Sequence, residues 1–246
     1  MPPNAKAGPS RIPDKVEPQG PLGVSYKETV DTLASFLEVV IHTILCIRQV
    51  YPPTTFTRRR AHGVAVYQSR HPAVRDYVSK VVAAIRDEMD KGTARRVTVV
   101  IKTTTTGLPL ERFIIDVGYM PLEGMEGPGR EAKIVNAPTA EDLSLRLRAF
   151  LIRLAALDGQ LLDNPPEDTT WAIIVETNDD LEPGAAEGTQ TPWVPALAAD
   201  TLSTNSAIAP HHEPLLSVRA VETGVIDLRM MVQECAAKTG VDHLDI

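Results

Sequence analysis

The alternation of apolar and polar positions is most one-sided between Ser25 and Tyr51, where the run FLEVVIHTILCI from Phe36 to Ile47 is broken only by Glu38, His42 and Thr43. A helix that is apolar on nearly every side must be surrounded by other elements, so this stretch predicts one long central helix. Ser25 with Glu28 three residues on has the spacing of a capping box, and Pro52 and Pro53 cannot continue a helix. At about 1.5 Å per residue such a helix spans roughly 40 Å, the width of a domain.

Beyond it, β-compatible pieces at 54–57 and 64–68 flank a basic, Gly-containing turn and predict a small hairpin. His71-Pro72 opens a second helix whose apolar positions Val74, Tyr77, Val78, Val81, Ile85 and Met89 keep the three-and-four spacing, with Gly92 as its stop. β-branched residues at 97–103, a turn at Gly107 and a second run at 110–117 predict an antiparallel pair. Gly, Pro and charged residues make 118–138 a flexible loop. Thr139 and Asp142 then start a third helix, whose stripe Leu143, Leu147, Phe150, Leu151, Leu154 and Leu157 should cover the sheet. Its other side carries Arg146, Arg148 and Arg153, a solvated face by default and a partner surface otherwise. A strand at 171–177 leads into an acidic, Gly-rich connector, then Trp193, then two further strands at 215–221 and 226–232 around Gly224. An aromatic after such a connector is either an anchor returning to the body or part of a groove.

Composition narrows this picture. The chain has 246 residues, 43% of them hydrophobic, enough for a sizeable core in one or two domains. No apolar run approaches the roughly 20 residues that cross a bilayer, so a soluble protein is expected. The Pro-, Gly- and charge-rich start has no signal-peptide pattern and reads as a disordered tail. Cys46 and Cys235 lie in apolar surroundings and read as reduced core thiols, which implies a reducing compartment. A net charge of −7 argues against a protein whose whole surface grips nucleic acid, although Arg58, Arg59 and Arg60 make a local basic patch or a solvated strand edge.

No phosphate-cradling loop, dinucleotide fingerprint, nucleophile elbow or zinc spacing is present in the sequence. His211, His212 and Glu213 read as a polar loop rather than a metal site, because adjacent histidines rarely converge on one ion. His42 reads as a core histidine hydrogen-bonded inside, and its pairing with Cys46 as base and nucleophile fails for want of substrate access.

Several stretches carry a resemblance. FLEVVIHTILCIRQVYP, VYQSRHPAVRDYV, LRAFLIRL followed by DNPP, and the PW dipeptide before the C-terminal β region resemble the HORMA-domain accessory subunits of translesion DNA polymerase zeta, the mitotic-arrest-deficient-like proteins, over about residues 26–234. The resemblance implies an α+β fold, three helices packed on an antiparallel sheet around the central helix, with tail 1–23, HORMA domain 24–236 and C-terminal tail 237–246. It implies a safety belt, about 178–236, that closes over an extended, proline-containing peptide of the polymerase zeta catalytic subunit. On that reading Tyr77 and Trp193 line the peptide groove and Arg148 lies at a homodimer surface. Leu215, Arg229 and Met231 meet a scaffold translesion polymerase, with Arg229 and Met231 standing where some relatives carry an amide and a tyrosine. A remodelling AAA+ ATPase, a nuclear location, no cofactor, no metal, no membrane and no catalysis complete what the resemblance implies. A spindle-checkpoint or meiotic adaptor and a direct DNA-binding module using Arg58 to Arg60 are the alternatives.

Overall fold

The structure is a computed structural model that describes residues 22–120, 130–165, 169–178, 194–197, 200 and 215–239. Strand β1 (Leu22–Ser25) runs straight into helix α1 (Tyr26–Ile47). Both halves of the expected capping box form: the Ser25 hydroxyl accepts from the Glu28 amide at 3.2 Å, and the Ser25 amide donates to the Glu28 carboxylate at 2.8 Å. Leu33, Leu37, Val40, Ile41, Ile44 and Leu45 are all at 0% exposure, so α1 is the surrounded helix that its pattern predicts. By length and composition alone α1 is apolar enough to cross a membrane, which corrects the sequence-based expectation, and the reason it reads so is that other elements bury it. It also stops four residues short of Tyr51. Arg48 caps it, and Gln49 takes a left-handed conformation at φ 52°.

Strands β2 (Phe56–Ala61) and β3 (Val64–Ser69) form the expected hairpin. Arg58, Arg59 and Arg60 belong to β2 itself, not to the turn, which is His62-Gly63. Helix α2 (Pro72–Lys91) starts on Pro72 after His71 and ends on Gly92 at φ 78°, both as the sequence predicts. Its face Val78, Val81, Val82, Ile85 and Met89 packs inward, against α1.

Among the described residues the main sheet is antiparallel and five-stranded, in the spatial order β7 (Thr169–Thr177), β4 (Ala94–Thr103), β5 (Pro109–Tyr119), β9 (Ile226–Glu234) and β8 (Leu215–Val221). β4 and β5 form the central pair, β7 lies outside β4, and the hairpin of β8 with β9 lies outside β5. Helix α3 (Ala140–Leu157) starts at Thr139 and Asp142 as expected, through a capping box, and buries its whole leucine-phenylalanine stripe, packing on β8 and α1. Phe36 of α1 meets Phe150 of α3 edge to face, with centroids 5.0 Å apart. The region expected to be a loop from 118 to 138 is not wholly one. Gly118 and Tyr119 end β5, and β6 (Lys133–Val135) pairs with β1. β1 also takes in Leu22 and Gly23, ahead of the expected domain start. At Gly23 a side chain would meet the Ala137 carbonyl oxygen at 2.1 Å, so only glycine lets the two segments approach this closely.

Two of the buried polar features bear on the stability of the core. His42 is 1% exposed, and neither ring nitrogen has a hydrogen-bond partner among the described residues, which corrects the expectation of a hydrogen-bonded core histidine. Burial, with the Arg75 charge second, pushes its pKa down to about 4, so it sits in the core neutral. The other is a charge cluster under the end of α1. The Arg48 Nε donates to both Glu111 oxygens at 3.1 and 3.0 Å, and its Nη1 donates to Asp158 at 2.5 Å. Cys46 and Cys235 are both buried thiols outside any disulfide, as expected, and burial pushes the Cys46 thiol up to about 11.

Candidate functional site

β7 is the open edge of the sheet: its inner side pairs with β4, and no described strand pairs with its outer side. Alternation sends Trp171, Ile173 and Val175 toward the helices, so an aromatic side chain stands at the start of a strand whose outer edge no described strand covers. The Trp171 Nε1 donates to the Tyr51 hydroxyl at 2.9 Å, and the Tyr77 ring meets the Trp171 ring edge to face, with centroids 5.2 Å apart. Tyr77 remains 43% exposed, so it is not one of the residues that close the core of α2. Its hydroxyl pKa is raised by burial, against the opposing effect of a hydrogen bond from the Ile173 backbone. Three aromatic side chains, from the segment after α1, from α2 and from β7, therefore wall one strand edge that no described strand covers.

The sequence-based reading brought Tyr77 to this place but not Trp171 or Tyr51. Trp193, its expected partner, lies outside the described residues, as do His211, His212 and Glu213. The described parts of the connector mark its course at two points. The Asn178 amide donates to the Thr93 carbonyl at 2.8 Å, beside the Ala94 end of β4. Asp200, 4% exposed, accepts from the Lys102 Nζ at 2.8 Å, near the other end of β4. Val194 and Leu197 between them are 79% and 65% exposed.

The remaining expected residues fall on two other surfaces. Arg148 is exposed on α3 with its guanidinium against the β2–β3 turn, where a Cβ on Gly63 would lie 3.5 Å from Nη1. Leu145 and Ile152, 60% and 51% exposed, flank it along the same side of the helix. Leu215, Met231 and Arg229 do come together. Register pairs Leu215 with Gln233, Ser217 with Met231 and Ala220 with Arg229, which sets all three on the sheet face turned away from the buried Leu228, Met230 and Val232. Arg58, Arg59 and Arg60 are exposed and make no ion pair among the described residues. No group of three or more His, Cys, Asp or Glu among the described residues is placed to hold a metal.

Helices packed on an antiparallel sheet that carries its C-terminal hairpin at one edge form a HORMA fold. A solved structure described as C. elegans HTP-1 bound to the HIM-3 closure motif superposes with a TM-score of 0.65 at 12% identity, covering 87% of this chain and 92% of that one. No family model matches the chain. Among curated proteins it is 26% identical over 209 residues to the Gallus gallus protein named mitotic spindle assembly checkpoint protein MAD2B, covering 85% of this chain and 92% of that one. It is 29% identical over 164 residues to the Arabidopsis thaliana DNA polymerase zeta processivity subunit, covering 67% and 70%. The chain is a homologue of the MAD2B and polymerase zeta processivity proteins.

Proposed function

We propose that this protein is a non-catalytic adaptor that captures an extended, proline-containing segment of the polymerase zeta catalytic subunit along the outer edge of β7, and so serves translesion synthesis in the nucleus. The observation that carries the proposal is the open β7 edge walled by Tyr51, Tyr77 and Trp171. A partner strand added there gains backbone hydrogen bonds that ask little of its sequence, while aromatic faces select proline and apolar side chains. Residues 178 and 200 bond Thr93 and Lys102 at opposite ends of β4, about 30 Å apart at strand rise, so the chain between them is the segment proposed to close over the partner as a belt. The names of the relatives and the closure motif bound in the HTP-1 structure support this reading.

Capture is testable with the full chain and a fluorescent peptide from the catalytic subunit. Tyr77→Ala and Trp193→Ala are each expected to weaken binding about thirtyfold or more, the loss of a buried aromatic anchor worth about 2 kcal/mol. Both should leave the melting midpoint nearly unchanged. Binding as tight as wild type by Trp193→Ala would mean that the belt does not run over the peptide at that point, and unfolding would make Trp193 a core residue.

Two further surfaces belong to the same proposal. Arg148, between exposed Leu145 and Ile152, is a self-association contact, and Arg148→Ala should shift a sizing profile from dimer to monomer. The same oligomer in both proteins, or a wild-type monomer, removes that assignment. Leu215, Met231 and Arg229 form the face for a scaffold polymerase, with Arg229 and Met231 supplying different hydrogen-bonding groups from an amide and a tyrosine. Titration with the scaffold's C-terminal domain should show Leu215→Ala binding at least several-fold more weakly, and equal affinities exclude the face. Reopening by an AAA+ ATPase is part of the proposal. ATP-dependent release of the fluorescent peptide by the remodeller tests it, and unchanged peptide lifetime rejects it.

A second reading takes its support from the checkpoint name of MAD2B: the captured segment belongs to a checkpoint or chromosome-axis protein. The partner that copurifies with the full chain decides between them. The exposed Arg58 to Arg60 patch would favour a nucleic-acid role only if the isolated protein gave a salt-dependent mobility shift.

A further inference from the structure

Among the described residues the β8–β9 hairpin joins the rest of the sheet along the seam between β5 and β9. At one end of that seam two like charges are register partners, Glu111 on β5 opposite Glu234 on β9. Carboxylates directly opposite one another repel, and Glu111 is fully buried, so the seam cannot close there without added positive charge. Arg48 supplies the charge that Glu111 itself needs, from the end of α1. The charge that Glu234 brings is matched by a residue that arrives with the hairpin. Lys238 lies in the short helix α4 (Ala236–Thr239) that follows β9. Its Nζ bonds Glu111, lies 2.8 Å from Glu234 Oε1 and donates to the Leu162 carbonyl at 2.5 Å. Only 2% of the Lys238 side chain is exposed, and the Leu162 amide completes the ring by donating to Glu234 at 2.9 Å.

We infer that α4 is a latch: insertion of Lys238 between Glu111 and Glu234 holds the C-terminal hairpin on β5, and its withdrawal lets the hairpin leave the sheet. The device ties together three parts of the chain, namely the end of α1, the segment after α3 and the C-terminal hairpin. It stands without the proposed function. Its consequence for a captured partner rests on that reading, because the connector proposed as the belt runs into β8.

The test is hydrogen exchange on the free full chain, which needs no partner and so fails or succeeds independently of peptide capture. Lys238→Met keeps the length of the stem and removes the charge. It is expected to speed exchange in β8 and β9 by about tenfold or more while β4 and α1 keep their wild-type protection. Adding Glu234→Gln to Lys238→Met should restore most of the protection, since the repulsion that the lysine offset is gone. Unchanged exchange in Lys238→Met overturns the latch. So does a rise shared equally by β4 and α1, which would mark Lys238 as a general stability residue, and so does a double variant as exposed as the single one.

Discussion

Replacing Arg48 by methionine is expected to lower stability by about 3 to 5 kcal/mol and the melting midpoint by roughly 10 °C. The guanidinium is 3% exposed and binds Glu111 through Nε and Nη2, Asp158 through Nη1, and the Leu162 carbonyl through Nη2 at 2.5 Å. Methionine fills much of the volume but leaves Glu111, Asp158 and Glu234 with Lys238 as the one cation of the cluster. An uncompensated buried carboxylate costs far more than the intact pair gains over an apolar one, and that asymmetry gives the test its second arm. In Arg48→Met with Glu111→Leu the orphaned charge is gone, and more than half of the loss should return in thermal melts at pH 7. A double variant as unstable as Arg48→Met alone would show that packing, not charge, sets the cost.

The same cluster explains one place where local sequence misleads. The apolar pattern and Pro52 extend α1 to Tyr51, but the helix ends at Ile47 because Arg48 is held by residues 63 and 110 positions away along the chain. Local patterns succeed where the interaction itself is local. Ser25 with Glu28, Thr139 with Asp142, Pro72 and Gly92 mark helix ends through bonds or dihedrals contained within a few residues. The strand β6 has no such signal. Three residues, Lys133 to Val135, become a strand because Leu22 and Ser25 pair with them, and nothing within a run amid Gly, Pro and charge announces a partner over 100 residues earlier.

The candidate site divides along the same line. Tyr77 is legible through a resemblance and through its helix, yet its neighbours Trp171 and Tyr51 become visible only once Trp171 is set opposite Ile101 on the outermost strand. The sequence-level signal for Trp171 was limited to an aromatic in a short β run. That the run forms an edge depends on which strand β4 accepts on its other side. Leu215, Met231 and Arg229 likewise share a face through a register that includes a bulge between Ser217 and Arg219, which no alternation pattern specifies.

His42 is expected to make the protein acid-sensitive between about pH 6.5 and pH 4. The ring is 1% exposed, lies on α1 with both nitrogens unpartnered among the described residues, and its pKa is held down to about 4 by burial, with Arg75 adding to the effect. In the unfolded chain the same imidazole titrates near 6.5. Above that pH it is neutral in both states and imposes no penalty. As the pH falls through 6.5 the unfolded state takes up a proton that the folded state refuses, so stability declines until the folded pKa is passed. A separation of about 2.5 pH units corresponds to a loss of about 3 kcal/mol. Wild type alone does not separate the histidine from the other titratable groups. The measurement is urea unfolding of wild type and His42→Leu at several pH values from 7 to 4. The carboxylates are common to both proteins, so the difference between the two stabilities should move by about 3 kcal/mol in favour of His42→Leu across that interval. Two curves that fall in parallel would mean that His42 protonates equally in both states and contributes nothing to the acid sensitivity of the fold.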